Sequence, residues 1–186
     1  ATSVWDLLSG QAGVKDEIVL IDENGTASAA SAAEFAAARG AKVTIVTPDR
    51  EFGREIGGTN LGAHMSELYK HDVRIETDTR ALSISRQGNR LLVVLQNTYS
   101  GKTREVVVDQ AIGDNGTLPN DDLYFALKPK SRNLGEVDLR ALADAREQAI
   151  VGNPGGRFSL YKVGDAWACR NLHAAMLDTA RICHPL

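Results

Sequence analysis

A chain of 186 residues and 20.0 kDa, 43% hydrophobic and 24% charged, has the make-up of an ordinary globular protein and can bury a real core, as one domain or one and a half. A net charge of −3 and a pI near 5.8 leave no electrostatic footprint for nucleic acid or an anionic membrane surface, and no apolar run approaches the ~20 residues of a transmembrane span. The two cysteines, Cys169 and Cys183, are too few for a disulfide framework, a zinc site or an iron–sulfur cluster. Ala1-Thr2-Ser3-Val4-Trp5-Asp6 lacks the basic and apolar regions of a signal peptide, so the expectation is a cytoplasmic protein with reduced thiols.

The opening stretch reads as a polar lead-in whose apolar residues are Val4, Trp5, Leu7 and Leu8. The chain is then organised around residues 17–49, which read strand, turn, helix, strand. Ile18-Val19-Leu20-Ile21 is an unbroken apolar run, the pattern of a strand buried on both faces. Asp22-Glu23-Asn24-Gly25-Thr26 is a polar turn. Ser28 to Arg39 is nearly all alanine, the best helix former, with Phe35 its one large side chain. Ser31 and Glu34 have capping-box spacing, and Ser28 offers a cap one turn earlier. Gly40 suits the left-handed residue after a helix end, and Lys42–Val46 supplies a second, parallel strand. The alanines let the helix lie close on the sheet, as the first crossover of a dinucleotide fold requires.

Beyond the loops at 47–53 and 57–59, Asn60–His71 reads as a helix with Leu61, Met65, Leu68 and Tyr69 on one face, and Val73–Thr77 alternates as a strand. Ala81–Ser85 and Arg90–Gln96 flank the hairpin turn Gln87-Gly88-Asn89, and Thr103–Val108 completes a three-stranded meander after the turn 97–101. Asp121–Leu127 begins with acidic residues as helices do, and Val137–Ala149 reads as a further helix with Leu139, Leu142 and Ile150 inward. After the loop Gly152–Gly156, Phe158–Val163 reads as a strand stopped by Gly164-Asp165. Asn171–Cys183 closes the chain as a helix with Leu172, Ala175, Met176, Thr179 and Ile182 on its buried side. The fold class is therefore α/β, a Rossmann-like three-layer domain with a parallel sheet and a meander.

Several stretches carry a family resemblance: Ala33-Glu34 through Val46, Asn97–Gly101, Gly116-Thr117-Leu118-Pro119-Asn120-Asp121-Asp122-Leu123-Tyr124, Val163–Ala166 and Arg170–Ala175. In this order they resemble the C-terminal nucleotide-binding half of the multidomain NADH:flavin oxidoreductases of the trimethylamine dehydrogenase and 2,4-dienoyl-CoA reductase type. The branch they look most like N-demethylates methylated amines and amino acids. The resemblance implies a parent whose N-terminal β/α barrel carries FMN, an iron–sulfur cluster and the substrate pocket, followed by a FAD- or ADP-binding domain with a smaller NAD(P)H-type domain inserted into it. On that footing residues 1–13 are a lead-in or linker, 14–112 the NAD(P)-type domain, and 113–186 the second half of the FAD-type domain. The implied partners are the barrel and the first FAD half of the same polypeptide, with a homo-oligomer left open. No cofactor is expected in the isolated chain, which should not turn over substrate.

Two stretches are candidate sites. A working dinucleotide fingerprint is G-x-G-x-x-G, whose glycines allow close backbone approach while the helix N-terminus offers free N–H groups to the pyrophosphate. Here Asp22, Asn24 and Ala27 stand at the glycine positions, so the turn bearing Asn24, Gly25 and Thr26 reads as a degenerate NAD(P) site. Two like unit charges ~4 Å apart cost about 1 kcal/mol in water and about 4 at an effective dielectric of 20, so Asp22 beside a phosphate is a serious obstacle. Thr47-Pro48 supplies no ribose-binding acid, and Asp49 beyond the proline is a poor one. The second candidate is Gly164, Asp165 and Arg170, which the resemblance assigns to FAD or ADP in the parent; the alternative is that Asp165 caps the next helix.

Asn115-Gly116 stands where the family has an Ala-Thr-Gly crossover, from which Asp114-Asn115 departs, and reads as a hinge. His64, His71 and His173 lack ligand partners at metal spacing, His184 reads as tail, and Ser28 and Ser31 flank no nucleophile arrangement. Cys169 reads as an inert thiol, and Trp5 and Trp167 as apolar surface facing absent domains. The leading expectation is thus a nucleotide-binding-fold domain of a flavin-dependent oxidoreductase that scaffolds the redox step. The alternatives are a functional NAD(P)H-binding domain and a ligand-free interaction module.

Overall fold

A computed structural model describes residues 1–183, so His184 lies outside the described residues. In chain order the elements are β1 (Thr2–Ser3), α1 (Val4–Leu8), β2 (Glu17–Asp22), α2 (Ala27–Ala37), β3 (Lys42–Val46), α3 (Gly58–Lys70), β4 (Arg74–Glu76), β5 (Thr79–Gln87), β6 (Arg90–Asn97), β7 (Thr103–Val108), β8 (Gln110–Asp114), α4 (Asp122–Leu127), α5 (Leu139–Ala143) and α6 (Leu172–Cys183). The chain divides into two units, Ala1–Gly116 and Thr117–Leu186.

The first unit is three layers deep, and the apolar run of β2 shows why. Ile18 and Leu20 face one way, into a cluster with Val43, Ile45, Ile112 and the alanines of α2. Val19 and Ile21 face the other way, onto Val93, Leu95 and Val108 of the meander. A strand buried on both faces cannot alternate with polar residues, which is why it reads as an unbroken apolar run. The parallel sheet has the order β1-β8-β2-β3-β4, and β5-β6-β7 form a separate antiparallel sheet. Ala29, Ala30, Ala32, Ala33, Ala36 and Ala37 are all buried, so α2 contributes small side chains to the helix-side core.

Several details differ from the sequence reading. The cap of α2 is neither Ser28 nor Ser31 but Thr26, whose hydroxyl accepts from the Ser28 N–H at 3.5 Å, while Glu34 turns to His64 at 2.7 Å. Gly40 does take the expected left-handed backbone, with φ 89°. The opening residues are part of the sheet and core: Thr2 and Ser3 pair with β8, Ser3 and Asp6 form a capping box, and Val4 and Leu7 are buried. β8 itself has no apolar-run signature. Its buried Gln110 accepts from the Lys15 N–H and donates to Thr2 Oγ1 and the Gly13 carbonyl, so a polar side chain is satisfied inside the sheet. Tyr69, expected on the inner face of α3, is exposed, and Leu68 is that helix's buried residue.

The second unit is built from short elements. The helix expected over 137–149 shortens to α5. Asp138 caps its start, accepting from the Arg140 and Ala141 N–H groups at 2.9 and 3.0 Å. Ala145 takes a left-handed φ of 50° at its end, and the Arg146 N–H closes onto the Ala141 carbonyl, a helix stop of the Schellman kind. Leu139 is 74% exposed, and Ala141 is the residue that α5 buries. Phe158–Val163 forms no strand. The Phe158 carbonyl accepts from the Arg132 N–H, and buried Asn133 brackets Leu160, donating to its carbonyl at 2.9 Å and accepting from its N–H at 2.8 Å. One side chain thus does the pairing that a neighbouring strand would do. In α6 Leu172 and Met176, expected inward, are exposed, and Ile182 is buried.

Candidate nucleotide-binding crevice

In an open α/β sheet, ligands bind outside the carboxyl ends of the strands, beside a helix N-terminus. Here β2 ends on Asp22 and the adjacent parallel strand β8 ends on Asp114, and the two residues are direct register partners. The turn into α2 folds in front of them. Asp22 is fully buried, and its Oδ1 accepts from the Asn24 N–H at 3.1 Å and the Gly25 N–H at 2.8 Å. Those are the backbone donors that a phosphate would use. The chain's own carboxylate already occupies them.

The Asn24 amide donates to Thr26 Oγ1 at 3.1 Å, and its Oδ1 would lie 3.3 Å from a Cβ on Gly116. Gly116 also has φ 75°, a left-handed backbone that favours glycine there. Asp114 is 2% exposed, and its Oδ1 accepts from the Gly116 N–H at 3.4 Å. The Gly116 and Ala29 N–H groups, the Thr26 hydroxyl and the Asn24 amide favour its ionised form. One oxygen of each carboxylate, Asp22 Oδ2 and Asp114 Oδ2, is buried without a hydrogen-bond partner.

Burial pushes both carboxyls above the ordinary aspartate range. The Gly25 and Asn24 N–H groups offset this in part for Asp22, which the charges of Asp114 and Asp49 push up further. The Glu55 N–H donates to the Gly25 carbonyl, tying the loop after β3 to the turn, and Asp49 is ion-paired to Arg54 at 3.4 Å. A groove of about 320 Å³ elsewhere in this unit is edged by Glu17, Lys42, Arg74, Glu76 and Arg104 and involves none of the turn residues.

The other candidate residues lie together in the second unit. Gly164 has φ 58°, and a Cβ there would come within 3.1 Å of Ala175, so glycine allows close approach to α6. Its N–H donates to Asp178 Oδ2 at 3.3 Å, the Arg170 guanidinium pairs with the same carboxylate, and the Arg170 N–H lies 3.5 Å from Asp165 Oδ1. Asn171, not Asp165, serves the first turn of α6, accepting from the Ala174 N–H at 2.9 Å. Sequence reasoning missed Asp178 here, six residues beyond the start of the helix.

It also missed Lys162, whose ammonium lies 2.9 Å from Asp121 and over the rings of Tyr124, Phe125 and Trp167 at 4.8, 5.2 and 5.7 Å. The i, i+3, i+4 spacing of Asp121, Tyr124 and Phe125 was the available signal. Among the histidines, His64 bridges to Glu34 and His71 ends α3 beside Glu67. Among the described residues no group of three or more His, Cys, Asp or Glu is placed to hold a metal ion, and no helix is long and apolar enough to cross a membrane.

No protein-family model matches the chain. It is 39% identical over 180 residues to a probable N-methylproline demethylase of Rhizobium meliloti, covering 97% of this chain and 26% of that protein. Over 185 residues it is 38% identical to an N,N-dimethylglycine/sarcosine dehydrogenase of Chromohalobacter salexigens, again 97% of this chain and 27% of the relative. The resemblance to the NADH:flavin oxidoreductase type holds. Among solved structures, histamine dehydrogenase from Rhizobium sp. 4-9 superposes with a TM-score of 0.70 at 18% identity, covering 97% of this chain and 25% of that one, which shows a shared fold. The chain therefore spans about a quarter of the length of the relatives it matches.

Proposed function

We propose that the chain is the nucleotide-binding-fold region of a flavin-dependent oxidoreductase acting on methylated amines, and that its first-unit crevice supports the redox centres structurally without binding NAD(P). The amine substrate class rests on the names of the relatives. The observation that carries the crevice reading is Asp22, whose Oδ1 takes the Asn24 and Gly25 N–H groups that a pyrophosphate would need. A ligand would have to break those bonds and approach a buried, unpaired carboxylate oxygen, and a tenfold loss of affinity takes only about 1.4 kcal/mol.

In the intact parent, Gly164, Asp165 and Arg170 would face FAD or ADP. There Asp165 would accept from ribityl or ribose hydroxyls, and the guanidinium of Arg170 would stay oriented by Asp178. The isolated chain is proposed to hold no cofactor and to turn over no substrate, and residues 14–112 and 113–186 to be the NAD(P)-type and partial FAD-type segments. The remainder of the same polypeptide would supply the barrel with FMN and the iron–sulfur cluster. Titration of the chain with NADH by calorimetry tests the crevice reading. Millimolar or no binding is expected, and micromolar binding would replace this reading with that of a working NAD(P)H domain.

A further inference from the structure

The altered glycine turn is only half of what keeps the crevice closed. We propose that Asp114, contributed by β8, is the specificity-determining residue that excludes a dinucleotide phosphate from the N-terminus of α2, so that repairing the turn alone does not open the site. This inference rests on the reading of the crevice as one that does not bind NAD(P).

The geometry that carries it is the pairing of strand ends. Asp114 is the register partner of Asp22, so the two carboxylates leave adjacent strands at the same level. They divide the donors between them. Asp22 takes the N–H groups of the turn, at Asn24 and Gly25, whereas Asp114 takes the Gly116 N–H and is favoured as an anion by the Ala29 N–H in the first turn of α2. A helix N-terminus attracts anions through its free N–H groups and its dipole, and here a side-chain anion stands before it.

Asp114 Oδ2 is buried without a partner, and the charges that act on Asp22 in this crevice, those of Asp114 and Asp49, are both acidic. The Asp49 charge is paired with Arg54, and among the described residues Asp114 forms no ion pair. A phosphate brought to the helix would therefore meet a like charge that the turn substitutions do not remove. Burial also raises the carboxyl of Asp114, as expected for an anion held without a counter-ion.

Three versions of the full chain separate this inference from the reading it rests on, with NADH as the probe in calorimetric titration: the wild type, Asp22→Gly/Asn24→Gly, and the same pair with Asp114→Asn added. Micromolar binding by the wild type would overturn the reading of the crevice itself. With a non-binding wild type, the inference expects the triple variant to bind at least about tenfold more tightly than the turn-repaired pair. Equal binding by the two, or binding by neither, would overturn the role of Asp114 and leave the other reading standing.

Because a glycine at position 22 removes a buried acceptor, a conservative series keeps the test usable. Asp22→Asn retains Oδ1 as acceptor, and it is compared with Asp22→Asn/Asp114→Asn against inorganic pyrophosphate while the Ala29 amide resonance is followed. A saturable Ala29 shift at tenfold or more lower pyrophosphate in the double variant is expected. The same concentration dependence in both would overturn the inference.

Discussion

The two units of this chain solve the same problem of burying backbone polar groups by different means. In residues 1–116 the partners are other strands: eight β segments in two sheets pair N–H with C=O, and the apolar side chains stack in two clusters on either side of the parallel sheet. In residues 117–183 no strand is present among the described residues, and single side chains take over part of the pairing. Asn133 does it for Leu160, Ser131 Oγ accepts from the Gly135 N–H, and Tyr124 donates to the Gly135 carbonyl at 2.7 Å. The apolar inventory differs in the same sense. The first unit buries most of its large aliphatics, with Leu8, Leu82, Ile84 and Val107 exposed, whereas Leu118, Leu123, Leu139, Leu172 and Met176 of the second stay exposed. A sheet spreads its pairing over many equivalent bonds; in the second unit, side-chain bonds such as those of Asn133 stand beside turn-type backbone bonds such as Arg132 N–H to the Phe158 carbonyl.

Substitutions can break that contrast, beginning with the most damaging. Asn133→Ala strands the Leu160 N–H together with the Leu160 and Glu136 carbonyls, and should cost on the order of 3 kcal/mol. Hydrogen exchange should show protection lost in the second unit and kept in the strands of the first; uniform loss across the chain would erase the distinction. Asp22→Ala, which leaves the Asn24 and Gly25 N–H groups without their acceptor, should cost about 1–3 kcal/mol in urea unfolding, while Asp22→Asn, which keeps the acceptor and removes the buried charge, should cost clearly less. Ser3→Ala removes the cap of α1 and should cost about 1 kcal/mol, confirming that the first residues are part of the first unit's fold.

A smaller effect depends on pH. The folded-state pKa of Asp114 is raised above its unfolded value by burial, so its contribution favours folding at acid pH and is lost as pH rises through the folded value. Asp114→Asn should therefore gain stability relative to wild type as pH rises from about 4 toward neutrality, read from unfolding midpoints at several pH values. A difference that shrinks over that range would contradict the assignment. Glu17 and Asp138 work in the opposite sense. Arg90 and Lys42 hold Glu17 below its ordinary value, and the Ala141 N–H does the same for Asp138, so both lose stabilising charge on acidification. Comparison within the Asp114 pair cancels them.

What the sequence disclosed follows from which forces leave a local trace. Burial on both faces makes β2 an uninterrupted apolar run, and close packing makes α2 an alanine stretch, so the β2–α2–β3 core was legible, as was the meander from its turn residues. β8 was not, because the buried polar Gln110 is satisfied by Lys15 and Thr2, partners 95 and 108 residues away in the chain. The over-long helix at 137–149 followed the apolar spacing and missed the stop imposed by Ala145 in a left-handed conformation, for which alanine carries no warning. The expected strand at 158–163 has suitable side chains and no strand to pair with. At the crevice, the turn residues Asn24, Gly25 and Thr26 could be found from the glycine pattern, and the obstruction by Asp22 could be argued. The part played by Asp114 required knowing that β8 lies beside β2.

The central claim is that the donors of a phosphate cradle are taken by the chain's own carboxylates. Amide spectra of the isotope-labelled chain, recorded during addition of NADH, test it at the atoms concerned. The account predicts that the Asn24, Gly25 and Ala29 resonances stay unmoved up to millimolar concentration. Saturable shifts of those three amides at micromolar NADH would contradict it.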